Sequence, residues 1–327
     1  MSYRAALFRK GRPSLLYMTC LFYIYIYAPG CFRSFAGVKK KFIPFGCAFL
    51  LYMGTGTFSA CKKQTDPGHN PEVYRQQMDV AYGNHPRQKA DIYLPAGRDA
   101  QTPTLVLIHG GGWTTGDKTE MLPFVDTALM RQNRLAVVNM NYRLATADAY
   151  KHPSQVEDIG RLLDFLQVLA AEYHINPDRF ALAGASAGGH LGMLYDDAFD
   201  TGDRVKAVVA CVAPTDFLVP EILNDTAQYL AVYGLLGKTH WEDMGLWYAA
   251  GPYRVCGTHT SPTALFMGGA DPIVPVSQGE KLKARLDSLG VPATLTVYEG
   301  AGHGWWPGGP VFADTRQKIM AWLNAHL

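Results

Sequence analysis

Phe180-Ala181-Leu182-Ala183-Gly184-Ala185-Ser186-Ala187-Gly188-Gly189 opens as an apolar run, closes on small residues, and is followed by helical periodicity over 187–197. A strand turning sharply into a helix tolerates little more than glycine here, because a Cβ at Gly184 or Gly188 would meet the neighbouring segments. The serine at such a turn stands at the end of a sheet strand, with its hydroxyl presented outward. G-x-S-x-G in this setting points to a nucleophile, whereas a glycine-rich helix start that holds phosphate is the blander alternative. In a chain of 327 residues with 33 Gly, chance supplies roughly 0.1 such matches, so the context decides.

Working outward, the same rhythm repeats. Continuous apolar runs at Thr104–Ile108, Ala136–Met140, Val205–Val212, Ala264–Met267 and Leu295–Tyr298 fit strands buried on both faces of a parallel sheet. Two earlier strands, Val73–Tyr82 and Lys89–Leu94, flank a turn at Gly83–Pro86. Helical periodicity falls at about 122–132, 155–172, 187–197, 277–289 and 311–325; Ile159, Leu162, Leu163, Leu166 and Leu169 share one face. Alternating strands and helices predict an α/β fold: a mostly parallel eight-stranded sheet with helices on both faces. Residues 214–262 break the rhythm and are rich in Trp and Tyr, which reads as a small cap insertion. Residues 73–327 therefore read as one catalytic domain.

A serine nucleophile needs a base, an orienter and donors for the oxyanion. Asp271 follows the run Ala264–Met267 within Gly268-Gly269-Ala270-Asp271-Pro272, and His303 follows Leu295–Tyr298 within Gly300-Ala301-Gly302-His303-Gly304. Alone, an Asp before Pro is an ordinary turn residue and a His among glycines an ordinary exposed one. Together, at three strand ends and in the order Ser186, Asp271, His303, they form the expected triad. His109-Gly110-Gly111-Gly112-Trp113 directly follows Thr104–Ile108, so Gly111, Gly112 and the N–H of Ala187 are the expected oxyanion donors. His109 reads as a brace for that loop rather than a base. Trp113 and Trp305 are the candidate substrate contacts, and Asp158 reads as a residue that caps the helix it begins or meets that helix's dipole.

The amino terminus is different in kind. Residues 1–65 hold ten Lys or Arg and no acid, while the chain from Cys61 onward has 22 bases against 28 acids, a net −6. That acidic body argues against a nucleic-acid partner. Val38-Lys39-Lys40-Lys41, the apolar stretch Phe42–Ala60 and the small residues before Cys61 describe a basic, apolar and small-residue succession. Residues 38–61 are thus expected to be a signal of lipoprotein type with lipid on Cys61, ahead of a plain cleaved signal or an anchor helix over 42–60, and residues 1–37 an extension upstream of Val38. Residues 62–72 read as a tether, giving an exported chain held to a membrane, facing periplasm or cell surface. Of six cysteines, only Cys211 and Cys256 lie in the body; Cys211 reads as a small core residue, and a bridge between the two stays open. No metal or other cofactor is indicated or required.

Asp91-Ile92-Tyr93-Leu94-Pro95, His109–Trp113, Gly116-Asp117-Lys118, Asn141-Tyr142-Arg143-Leu144, Asn176-Pro177-Asp178-Arg179, Gly184–Gly189, Asp271 and His303 together resemble the α/β-hydrolase superfamily. Within it the chain is similar to bacterial feruloyl-esterase-like and hormone-sensitive-lipase-like carboxylesterases. The resemblance implies a serine esterase acting on a small-molecule or glycan-linked ester, with acetyl or feruloyl groups on polysaccharides as the family's common substrates. Kynurenine formamidases share the glycine-loop form and supply the rival reading, an arylformamidase. From a different class comes a binding lipoprotein of the same fold that does no chemistry.

Overall fold

Eight strands, β1 (Arg75–Ala81), β2 (Lys89–Leu94), β3 (Thr104–Ile108), β4 (Ala136–Met140), β5 (Phe180–Ala185), β6 (Val205–Cys211), β7 (Thr263–Gly268) and β8 (Ala293–Tyr298), make one sheet in the order β1-β2-β4-β3-β5-β6-β7-β8. Pairings β1–β2 and β2–β4 are antiparallel and the other five are parallel. This is the α/β-hydrolase sheet, seen in a computed structural model that describes residues 70–125, 135–304 and 309–327. The leader, Cys61, most of the tether and Trp305 lie outside those residues. So does 126–134, where most of the helix expected at 122–132 falls; a 3₁₀ helix, Lys118–Phe124, immediately precedes it.

Alternation along the strands builds the core. Val106 and Ile108 pack to one side with Ile159, Leu162, Leu163, Leu166, Leu191 and Leu194, all fully buried. Leu105 and Leu107 point the other way, toward Met121, Ile319 and Leu323. Period-two side-chain direction and helices on both faces thus explain why β3 reads as an unbroken apolar run. Each fully buried Leu or Ile in these layers contributes ~1.5–3 kcal/mol of apolar transfer. The helices are α1 (Ser154–Val168), α2 (Ala170–Tyr173), α3 (Ala187–Ala198), α4 (Pro220–Leu223), α5 (Thr226–Leu236), α6 (Met244–Ala249), α7 (Pro252–Val255), α8 (Val276–Ser288) and α9 (Gly309–His326).

Two details differ from the sequence reading. The single helix expected at 155–172 is broken at Leu169, whose φ of −94° and ψ of 3° end α1 before α2 begins. Asp158 is no cap: it sits in the fifth position of α1, fully buried, and is bound by Arg143 and Gln88. Between β6 and β7 the chain carries the four helices α4–α7. The chain runs from β3 outward to β4 and then returns across β3 to β5, so the carboxyl ends of β3 and β5 flank a crevice at the point where the strand order reverses.

Candidate active site

Ser186 ends β5 and starts α3 with φ 52° and ψ −119°, and its N–H donates to the Cys211 carbonyl of β6 at 2.8 Å. The glycines around it answer close approaches. A Cβ on Gly184 would lie 2.3 Å from the Gly188 carbonyl carbon, and one on Gly188 would lie 2.1 Å from the Ile108 carbonyl oxygen. The first turn of α3 is thereby pressed against the end of β3, which brings the serine beside the glycine loop.

Asp271 and His303 reach the same place from the ends of β7 and β8. Ser186 Oγ lies 3.0 Å from His303 Nε2, and His303 Nδ1 lies 2.7 Å from Asp271 Oδ2. The Asp271 carboxylate is fully buried and accepts two further N–H bonds, from Ile273 at 2.8 Å and Val274 at 3.0 Å. Burial would raise its pKa, but the bonds from His303, Val274 and Ile273 outweigh that and hold the carboxyl below its ordinary value. A charged, immobile carboxylate at Nδ1 requires a donor there, so Nε2 of the neutral ring is the acceptor facing the serine hydroxyl.

The glycine loop is braced from behind. His109 is fully buried and stacks on Tyr142 at 4.2 Å. Its Nδ1 faces the Gly110 carbonyl at 2.8 Å and its Nε2 faces the Arg87 guanidinium at 3.2 Å, so Nδ1 donates and Nε2 accepts. Burial keeps this imidazole neutral, with a pKa lowered to about 4. Tyr142 Oη is 3.1 Å from both the His109 and Gly110 carbonyls, while Thr114 and Thr115 donate to the Gly111 carbonyl. Gly111 and Gly112 adopt φ of 98° and 55°. Among the described residues no acceptor takes the N–H of Gly111, Gly112 or Ala187.

Several motif residues outside the triad prove to be this brace. Asn141 accepts from Arg87 and from the Lys118 N–H, and donates to Asp117. Lys118 is buried and paired with Asp91 at 2.6 Å. Trp113 is anchored from behind as well. It is 4% exposed, and its indole N–H donates to His190 Nδ1 at 3.1 Å, so only its apolar surface can face a ligand. His190 in turn bonds the Ala250 carbonyl at 2.7 Å, tying the loop through α3 to the cap. Cys211 and Cys256 are both free thiols, which closes the question of a bridge.

Two cavities meet at Ser186. The larger, about 450 Å³, is lined by Gly110, Gly111, Gly112, Glu120, Met121, Phe124, Ala185, Ser186, Ile273 and His303. A smaller one, about 80 Å³, is lined by Gly112, Trp113, Ser186, Pro214, Ile222, Gln228, Ala231, Val232, Ile273 and Val274. Most of these wall residues carry no signal in the sequence. Glu120 and Met121 sit on a 3₁₀ turn without helical periodicity, and Ile222 and Val232 belong to short cap helices whose packing depends on distant segments.

Against known proteins, the BD-FAE family model matches residues 90–286. Esterase LipQ of Mycobacterium tuberculosis is 25% identical over 272 residues, covering 78% of this chain and 62% of LipQ. Versiconal hemiacetal acetate esterase of Dothistroma septosporum is 30% identical over 304 residues, with 84% of this chain and 88% of that protein covered. The chain spans 62% of the length of LipQ and 50% of LipM, a probable carboxylic ester hydrolase of the same bacterium. A truncated carbohydrate esterase from gut microbiota shares the fold at TM-score 0.64 and 23% identity, over 79% of this chain and 99% of that one. An inhibited esterase B of Lactobacillus rhamnosis superposes at TM-score 0.61 with 25% identity, over 78% and 88% of the two chains.

Proposed function

The chain belongs to the BD-FAE family, and from that premise we propose that it is a serine carboxylesterase. One observation carries the proposal: an unbroken hydrogen-bonded line, Ser186–His303–Asp271, opens onto cavities beside three N–H groups that no acceptor takes among the described residues. Neutral His303 takes the Ser186 proton as Oγ attacks the ester carbonyl carbon. The N–H groups of Gly111, Gly112 and Ala187 receive the charge that develops on the carbonyl oxygen. Collapse of the tetrahedral intermediate breaks the carbon–oxygen bond, and imidazolium at His303 protonates the departing alkoxide. Water, deprotonated by the same ring, then releases the acid and restores the serine.

The relatives named as esterases support this reading, as does Asp271, held ionised where the imidazolium forms. The test is Ser186→Ala in the full-length chain, assayed on p-nitrophenyl acetate, methyl ferulate and acetylated xylan. A fall of about 10⁴-fold or more in kcat is expected from loss of the nucleophile. Turnover that survives the substitution would remove the serine from the mechanism. The leader gives the location we propose: export, with a lipid on Cys61, supported by Val38–Lys41, the apolar stretch and the small residues before the cysteine. Fatty-acid label that enters the wild type and not Cys61→Ser is the expected result, and equal labelling would refute the anchor.

A further inference from the structure

We infer that Arg87 is a positioning residue of the oxyanion hole: by fixing the tautomer of His109, it sets the direction in which the Gly111 N–H is presented to the substrate. This deepens the esterase reading above and rests on it. Arg87 lies in the turn between β1 and β2, at the antiparallel edge of the sheet and outside every motif around Ser186. Its guanidinium nonetheless reaches behind the glycine loop. Nε donates to the Tyr142 carbonyl at 2.9 Å, and Nη2 donates to the Gly116 carbonyl at 2.9 Å and to Asn141 Oδ1 at 3.1 Å. Those oxygens hold the group still, so its remaining contact, Nη2 to His109 Nε2 at 3.2 Å, is a fixed donor aimed at the imidazole.

A guanidinium can only donate, so Nε2 of His109 must accept. Burial keeps the ring neutral, and a neutral imidazole has one N–H, which therefore stands on Nδ1. Nδ1 faces the Gly110 carbonyl at 2.8 Å. That carbonyl and the Gly111 N–H belong to one trans peptide unit, whose C=O and N–H point in opposite directions. Gly110, Gly111 and Gly112 have no Cβ to restrict rotation of this plane, so the bonds to the carbonyl restrict it. His109 Nδ1 and Tyr142 Oη, at 3.1 Å, hold the oxygen from behind and leave the N–H to the cavity that Gly110, Gly111 and Ser186 line. Donation to the carbonyl also polarises the N–H of the same unit. In the other tautomer Nδ1 would meet the carbonyl oxygen lone pair to lone pair, and the peptide would lose its hold on the ring. Asp271 fixes the base by demanding a donor at Nδ1; Arg87 fixes the brace by offering one at Nε2.

Long-range nitrogen–proton NMR of the full-length chain, carrying isotope-labelled histidine, reads the tautomer directly, with the His109 signals assigned by their absence from His109→Gln. Wild type should show Nδ1–H. Arg87→Met, which keeps the stem and removes the donors, should shift His109 toward Nε2–H. On p-nitrophenyl acetate that variant should lose about 10- to 100-fold in kcat with little change in KM, short of the loss from deleting an oxyanion donor outright. A trifluoromethyl ketone, whose adduct with Ser186 carries an oxyanion, should bind it more weakly by the same factor. The pH–rate profile should stay in place, because Ser186, His303 and Asp271 are untouched. Arg87→Lys can still donate to Nε2 and should restore most of kcat. An Nε2–H tautomer of His109 in wild type would overturn the inference without any variant. So would an Arg87→Met protein of unchanged kcat, or a loss that Arg87→Lys does not relieve. Absence of Ser186-dependent turnover on every ester, from protein that shows the Nδ1–H tautomer, would instead overturn the esterase reading and leave Arg87 a brace of the loop.

Discussion

At φ 52° and ψ −119°, the serine of the elbow holds a backbone conformation that L side chains rarely enter, and only its surroundings keep it there. Glycine would adopt it without strain. Ser186→Gly is expected to gain ~1 kcal/mol of stability while abolishing ester turnover, and Ser186→Ala to lose the turnover with no such gain. Urea unfolding of the two variants beside wild type checks this; equal midpoints would mean the turn is relaxed. A neighbouring glycine gives the opposite outcome. Gly188→Ala places a Cβ 2.1 Å from the Ile108 carbonyl oxygen, a backbone atom that cannot swing away. A loss above ~3 kcal/mol, or failure to fold, is expected there. Gly300→Ala, which meets nothing within 4 Å, should leave the melting curve unchanged. These positions were legible in the sequence because a sharp strand-to-helix turn restricts residue type locally. Glu120, Met121, Ile222 and Val232 were not, because what makes them cavity walls is the path of other segments.

Among the elements, the glycine loop after β3 shows how a flexible sequence becomes a fixed one. Trp113 bonds His190 on α3, and His190 bonds Ala250 at the end of α6, so loop, nucleophile helix and cap share one buried line. Trp113→Phe removes the donor and leaves His190 Nδ1 buried without one, which should destabilise by ~1–3 kcal/mol. A double cycle with His190→Leu should show the two losses to be less than additive, and additive losses would show the bond to be idle. The alternation of strand and helix was readable because β3 to β8 are short apolar runs with amphipathic helices between them. Where the reading failed, tertiary partners had decided. Asp158 looked like a cap at a helix start, yet Arg143 and Gln88 draw it into the core. The bond from Trp113 to a histidine 77 positions away carries no signal in the sequence either.

For the molecule as a whole, the buried titratable groups set how stability responds to acid. Burial lowers His109 and His152 to about 4 and His190 to about 3. In the unfolded chain each takes a proton near 6.5, so their contribution is present above that pH and is lost as pH falls toward 4. Asp196 runs the other way. Burial raises it from 3.8 to about 6, against the bonds it accepts from the Ser261 hydroxyl and N–H, with the Asp200 charge adding to the rise and His259 opposing it. Its neighbour Asp197 is raised too, by burial and by the Asp196 charge. A carboxyl raised in the folded state stabilises it below the unfolded pKa, and that contribution is lost as pH climbs through about 6. Asp196→Asn keeps the acceptor for the Ser261 N–H and lets the Ser261 hydroxyl bond the Val205 carbonyl, a contact already in place at 2.9 Å. The variant should therefore be more stable than wild type at pH 8, by up to ~3 kcal/mol, and its advantage should shrink through pH 6 and vanish near pH 4. Urea midpoints of both proteins at pH 8, 6 and 4.5 measure it. An offset that stays constant across that range would mean that Asp196 is ionised in the fold at no penalty, and that the carboxyl pair beside Ser261 does not set the alkaline side of the stability curve.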